Sequence, residues 1–349
     1  MLVYWLLFLY FAVGAIREDP RPPSLARPDV LFRLGCFLMA LLIGLRFRVG
    51  ADWFPYEDIF SDAKHLTMGS LPEIADPGYY LVNIVVQWFG GELWLVNLIC
   101  GLIFAWGLMR LCEAQERPWL AALVAVPYLV IVVAMGYTRQ AVAIGFVMAG
   151  LASYFRNGSV LRFVAYALAA AMFHKTAVVA LPLIALANER GRVVSLLMVA
   201  AVTYVTYNLF LSATVGRFVT NYIDARYAAE GAGIRVAMNL VPAALFLVRS
   251  RQLGFPERDR RVWRNLALVA CALLPMLLLL PSSAAVDRLA LYIIPLQLAV
   301  LSRPRVVMVS ERLGTLLIIA YAAAVQFTWL TYAHHARYWV PYHFWPFIG

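Results

Sequence analysis

Apolar runs of near-membrane length follow one another along most of the chain, and the short segments between them carry nearly all of the charge. A helix needs about 20 apolar residues, roughly 17–25, to cross a bilayer. Runs of this kind cover Met1–Ile16, Val30–Phe47, Glu92–Cys112, Pro118–Met135, Arg139–Phe155, Val193–Ala213, Arg235–Ser250, Asn265–Pro281, Asp287–Ser302 and Arg312–Tyr332. Met1–Ile16 has neither a positive start nor a small-residue cleavage site before the arginines, so it reads as a helix and not a signal peptide. Two stretches are less regular. Pro77–Gly90 is short and runs into Gly90-Gly91, and Val160–Ala187 is interrupted in its middle by His174-Lys175.

The basic residues resolve both. Arginine-rich loops lie at Arg17–Arg27, Arg110–Arg117, Arg156–Arg162, Glu189–Arg192, Arg249–Arg264 and Arg303–Arg312. Short loops rich in Lys and Arg stay on the cytoplasmic side. Between Arg156–Arg162 and Glu189–Arg192 the chain must then go out and come back, so Val160–Ala187 is expected to be two short helices that turn at His174. The same parity makes Pro77–Gly90 a re-entrant or interfacial helix. The expected fold class is all-α: a polytopic membrane helical bundle of about twelve transmembrane helices with both termini outside. The chain forms a single transmembrane domain over 1–349. Its outer loops are 48–91, which holds the short non-spanning helix, and 214–234, and 333–349 is an outer aromatic tail.

Composition excludes other classes. Of 349 residues 63% are hydrophobic and 14% charged, against about 45–50% and 25% in a soluble domain. The net charge of +10 sits in the inner loops, so it does not indicate nucleic acid. The four cysteines fall in apolar segments without C-x-x-C spacing, which predicts neither a disulfide framework nor a zinc site.

Chemistry is expected at the outer ends, where all five histidines fall. Arg46 and Arg48 precede Gly50, Asp52 and Tyr56 where the second run emerges; guanidinium forks suit phosphate oxygens, although a snorkelling belt accounts for Arg48 equally well. Arg139-Gln140 opens a helix, where a cation opposes the macrodipole and needs either an anionic ligand or a nearby carboxylate. His174-Lys175-Thr176 lies in a break at membrane depth, and ionisable groups there are functional candidates. Asp287-Arg288 opens another helix, with Tyr292 one turn on; a plain Asp–Arg surface pair is the alternative. The loop residues Arg217 and Arg226, and the aromatic tail, suit carbohydrate; for the tail a membrane belt is an equal alternative. No metal-ligand spacing, Gly-rich phosphate loop or G-x-S-x-G is present. Arginines gathered with a histidine and an aspartate suit a lipid-linked, phosphorylated substrate and a hydroxyl nucleophile.

These segments resemble the EpsG family of Wzy-type exopolysaccharide polymerases. The resemblance rests on Arg46…Val49-Gly50-Ala51-Asp52…Tyr56, Arg139-Gln140-Ala141-Val142-Ala143, Phe173-His174-Lys175-Thr176-Ala177 and Arg288-Leu289-Ala290-Leu291-Tyr292, in that order over about residues 30–302. It implies a GT-C-like inner-membrane glycosyltransferase that joins undecaprenyl-pyrophosphate-linked repeat units at the periplasmic face. Arg46, Arg48, Arg139 and Arg288 would hold the pyrophosphate, with Arg139 also acting on the leaving group. His174 would be the base, and Asp52 an alternative base or its orienting partner. Tyr56, Gln140, Lys175, Asp287, Tyr292, Arg217 and Arg226 would contact the glycan. The expected partners are the polyprenyl-pyrophosphate-linked oligosaccharide, membrane lipids and a chain-length regulator of the same pathway, with no nucleic acid. No cofactor and no metal is expected. An O-antigen ligase-type transferase, a lipid-linked oligosaccharide flippase and a membrane acyltransferase are the alternatives. A flippase would show two related halves and midplane charges, and neither is visible in the sequence.

Overall fold

The structure is a computed structural model. It describes residues 1–19, 29–66, 69, 74, 76–187, 193, 196–197, 200–201, 204, 231–280 and 282–347. The expected span over Val193–Ala213 lies almost wholly outside the described residues, and Arg217 and Arg226 lie wholly outside them.

Among the described residues the chain is helical, without strands. The helices are α1 Leu2–Arg17, α2 Val30–Gly44, α3 Trp53–Asp62, α4 Pro77–Trp88, α5 Leu93–Glu113, α6 Pro118–Ala125, α7 Thr138–Asn157, α8 Val160–Phe173, α9 Ala180–Ala187, α10 Ala232–Arg249, α11 Glu257–Leu279, α12 Ser283–Leu291, α13 Ile294–Leu301 and α14 Glu311–Tyr332. By length and composition α5, α10, α11 and α14 can each cross a membrane. The α12–α13 pair, bent by 41°, makes a fifth if it counts as one span. α1, α2, α8 and the Pro118–Ala134 run are apolar but shorter.

The outside of the bundle carries many large apolar side chains. Leu2, Leu6, Leu9 and Ile16 on α1, Val241 and Val248 on α10, and Leu278 and Leu279 on α11 are all exposed. Such a surface is stable against hydrocarbon and not against water. The core is α6, α7 and the π-helical stretch Val126–Ala134, which is buried throughout. Pro127, which has no N–H to give, stands at the start of that stretch. α5 and α7 approach closely through glycine: a Cβ at Gly107 would lie 1.9 Å from the Gly145 carbonyl oxygen.

The polar groups divide between the two ends. At one end the arginine-rich segments hold one another. Arg33 meets Glu113 at 2.8 Å and Arg117 meets Glu311 at 2.8 Å. Arg303 donates to the Leu253 carbonyl at 2.9 Å and Arg249 to that of Val306 at 2.9 Å. Arg258 donates to the Phe155 carbonyl, just before α8, and Arg261 to that of Ala187 at the end of α9. The two outer limits of 155–187 are therefore tied to the same segment, and the chain between them leaves this end and returns to it. Its turn is at His174, followed by the 3-10 turn Lys175–Val179.

At the other end the tail closes on the α2–α3 connection. Residues 338–345 run antiparallel to 45–50: His343 and Tyr338 carbonyls accept from the amides of Phe47 and Gly50, each at 2.9 Å, and the Leu45 carbonyl accepts from Trp345 at 2.8 Å. Gly50 makes this possible, because its φ is +105° and a Cβ there would meet the Met135 carbonyl oxygen at 2.3 Å. Trp339 is only 1% exposed and donates from Nε1 to the Ile131 carbonyl at 2.7 Å. It belongs to the core and also borders a cavity, so the belt reading does not fit this ring.

Candidate functional site

The site is built from helix ends. α7 starts at Thr138, directly after the Met135–Tyr137 turn, and so presents Arg139 and Gln140 at its first turn. α8 stops at Phe173 because His174 adopts an extended backbone (φ −157°, ψ 111°). α4 begins with Pro77, its natural place in a helix. The residue before it, Asp76, has left-handed backbone angles (φ 61°, ψ 54°). Gly78 lets this corner sit against α8, since a Cβ there would be 3.0 Å from Met172 Cβ and from the Phe173 ring.

These ends surround a cavity of about 670 Å³, whose lining includes Asp52, Tyr56, Arg139, Gln140, His174 and Arg288. Four sequence-distant segments thus meet in one hollow at the end away from the arginine-rich loops. Gln140 donates to the Arg288 carbonyl at 2.9 Å, which ties α7 to α12. The Tyr56 hydroxyl accepts from the Arg139 amide at 3.3 Å, and its ring lies under the Arg139 guanidinium at 5.9 Å.

Asp76 lies just behind the cavity lining and joins Arg139 to the His174 turn; nothing in its sequence surroundings marks it. Its Oδ2 accepts from Arg139 Nη1 at 2.8 Å. Its Oδ1 accepts from the Lys175 amide at 3.3 Å and stands 3.9 Å from His174 Nδ1. That last distance is an ion-pair separation and not a hydrogen bond. The carboxylate therefore compensates the helix-start cation Arg139. Burial pushes the Asp76 carboxyl up, but His174, Arg139 and the Lys175 N–H together outweigh it and hold it below the usual carboxylate range. Burial lowers the His174 imidazole, and Arg288 and Arg139 add to this; Asp76 opposes them, and the result lies below an ordinary histidine. Burial raises the Asp52 carboxyl against the pull of Arg139 and Arg288.

A second pair lines the same cavity. Arg235 on α10 bonds Asp287 on α12 and donates from Nη1 to the Tyr128 hydroxyl at 2.7 Å. In the sequence Arg235 marks only the start of an apolar run. Like Arg139, it is an arginine in the first turns of a helix, and that shared pattern was the available signal. Asp287 thus partners Arg235, and α12 begins at Ser283, so Asp287 and Arg288 lie in its second turn and do not open the helix.

Other expected residues lie elsewhere. Arg46 is 1% exposed, and its donors reach the Ile43 and Val49 carbonyls, Asn97 and Thr138. It stands behind the cavity wall with its fork occupied by protein, so it is a structural tie and does not face the hollow. Arg48 lies over the Phe47 and Phe54 rings, outside the cavity lining, as the snorkelling alternative anticipated. Lys175 and Tyr292 are adjacent to the cavity but not in its lining; the Tyr292 hydroxyl accepts from Thr176 at 3.3 Å and fixes the His174 turn to α12. Among the described residues no three His, Cys, Asp or Glu side chains converge as metal ligands.

Fold and site together define an all-helical membrane protein with a polar, arginine-bearing hollow at one end of the bundle. The EpsG family model matches residues 29–344, and the chain belongs to the EpsG family. The match runs through the tail, farther than the motifs over about 30–302 suggest. No curated protein and no solved structure matches the chain.

Proposed function

We propose that this chain is a membrane glycosyltransferase of exopolysaccharide synthesis: a polymerase that joins polyprenyl-pyrophosphate-linked repeat units at the outer face of the bacterial inner membrane. Family membership supports the polymerase class. The observation that carries the site is the meeting of Asp52, Arg139, His174 and Arg288 on one cavity. The end of the bundle away from the arginine-rich loops is the periplasmic one by the positive-inside rule. Twelve spans, with α4 lying at the interface, complete this topology.

The reaction follows from the residues. His174 takes the proton of an acceptor hydroxyl. The freed oxygen bonds to the anomeric carbon as the bond from that carbon to the pyrophosphate oxygen breaks. The departing lipid pyrophosphate keeps the electron pair, and Arg139 and Arg288 stabilise its charge. Neither step requires a metal, because guanidinium groups serve the leaving anion. The two lining aspartates, Asp52 and Asp287, together with Asp76 behind Arg139, roughly balance Arg139, Arg235 and Arg288, so the cavity suits neutral sugar hydroxyls as well as one anionic group.

The test is incubation of the purified, reconstituted protein with a lipid-pyrophosphate-linked repeat unit, followed by sizing of the product. Lipid-linked chains of several repeats are expected from the wild type and none from His174→Ala or Arg139→Ala. Long chains from both variants would sink the proposed site. Transfer to a lipid A acceptor without elongation would make the protein a ligase, and movement of substrate without bond formation a flippase.

A further inference from the structure

We propose that Asp76 is a positioning residue that couples anion binding at Arg139 to the basicity of His174. The inference rests on the reading of Arg139 as the anion holder and His174 as the base, and it adds how one informs the other.

The carboxylate is divided between the two. Oδ2 is engaged by Arg139 Nη1 at 2.8 Å, while Oδ1 faces His174 Nδ1 at 3.9 Å. Nδ1 is buried and has no hydrogen-bond partner. A buried ring nitrogen without a partner is costly, and the nearest remedy is an approach of about 1 Å by Asp76. The backbone is set for this. Asp76 is a buried non-glycine residue in the left-handed region, immediately before Pro77. Such a conformation persists only where the surroundings fix it, here the packing of Gly78 on Met172 and Phe173 and the bond from the Lys175 amide.

An incoming pyrophosphate oxygen competes with Asp76 for the Arg139 fork. As Arg139 turns to the ligand, Asp76 loses its cation and closes on Nδ1–H. That bond fixes the tautomer in which Nε2 carries the lone pair. It also strengthens the base, because a carboxylate no longer neutralised by Arg139 favours the imidazolium that forms when the hydroxyl proton arrives. The other charged or titratable groups around the ring are Arg288 and Tyr292 on the α12 side, Lys175 beside it, and Asp52 and Tyr56 across the cavity. Asp76 both bonds the Arg139 side chain and faces Nδ1, so the coupling falls to it.

The experiment is NMR titration of ¹⁵N-histidine-labelled full-length protein in nanodiscs, with and without inorganic pyrophosphate. His174→Gln assigns the signal. In the wild type, pyrophosphate should raise the His174 midpoint by about one pH unit and give the Nδ1–H tautomer. Asp76→Asn should lose more than half of the rise, and Asp76→Glu should recover part of it. An equal rise and the same tautomer in Asp76→Asn would overturn the proposal. Arg139→Gln supplies a second arm for the case in which Asp76→Asn does not fold. It frees Asp76 permanently, so before any pyrophosphate is added His174 should show the Nδ1–H tautomer as well as the higher midpoint that loss of the Arg139 charge gives by itself; an Nε2–H tautomer or an unchanged midpoint overturns the coupling. Failure of pyrophosphate to bind the wild type would remove the anion-site reading, while the tautomer in Arg139→Gln, which loss of the Arg139 charge alone does not set, still decides whether Asp76 acts on His174.

Discussion

Arg46 Nη2 donates to Thr138 Oγ1 at 2.8 Å across 92 residues of sequence, and Thr138 is the residue that opens the helix bearing Arg139. The buried guanidinium therefore ties the end of α2 to the start of α7. It acts on the cavity through the backbone and does not touch its contents.

Arg46→Ala should lower stability by about 2–4 kcal/mol, since Asn97, Thr138 and two carbonyls lose a buried donor. Arg46→Lys should recover little, because an ammonium cannot reproduce the planar fork. Thermal unfolding in detergent measures this. A variant with wild-type melting but weakened pyrophosphate binding would return Arg46 to the ligand.

The kcat/KM of elongation, which reports the free enzyme, should show an acid limb below the ordinary histidine value of about 6.5, because His174 is held below it. The base form is then already present at neutral pH and is lost only as pH falls through the lowered value. Stability has the same sign. A buried neutral histidine contributes fully above the unfolded-state value, and this contribution is lost as pH falls toward the folded one. Initial rates at donor concentrations far below KM, from pH 5 to 8, test it, and a limb at or above 7 contradicts it.

Asp52→Asn should tighten inorganic pyrophosphate binding about threefold to tenfold, and Arg288→Ala should weaken it by a similar factor. Both line the cavity, and the Asp52 carboxyl feels Arg139 and Arg288. The expected size is that of a partly solvated charge, about 1 kcal/mol. Calorimetry in nanodiscs reads both, and changes of the same sign would contradict it.

Arg235→Ala and Asp287→Ala should each destabilise strongly, about 3–5 kcal/mol, because each leaves its mostly buried partner uncompensated. The double variant should cost less than the sum of the singles. Additive losses in a denaturation cycle would mean that the pair holds nothing together.

Trp339→Ala should cost about 3–5 kcal/mol. The ring is buried, packs edge-on against Trp329 at 4.8 Å and leaves no room for a side chain at Gly136. Because Gly136 precedes the Arg139 turn, the same variant should lower elongation. Unchanged melting would place the tail outside the fold.

The sequence by itself determined the membrane class, most of the described helices though not α3 or the break between α12 and α13, the reversal at His174, and the meeting of Arg139, His174, Asp52 and Arg288, though not the exclusion of Arg46 from it. Hydrophobic run length and loop charge are local quantities, and bilayer thickness and the positive-inside rule act on them directly. Tertiary structure alone decided which side chain meets which. Arg46 and Arg139 look alike in sequence, each beside a helix end. One is enclosed by α5 and α7 with its donors on protein, and the other opens onto the cavity because Tyr56 and Asp76 come to it from α3 and the start of α4. Asp76 and Arg235 gain their roles only when helix ends far apart in the chain are packed together. Desolvation and pairing depend on neighbours in space, and no local pattern of residues encodes those.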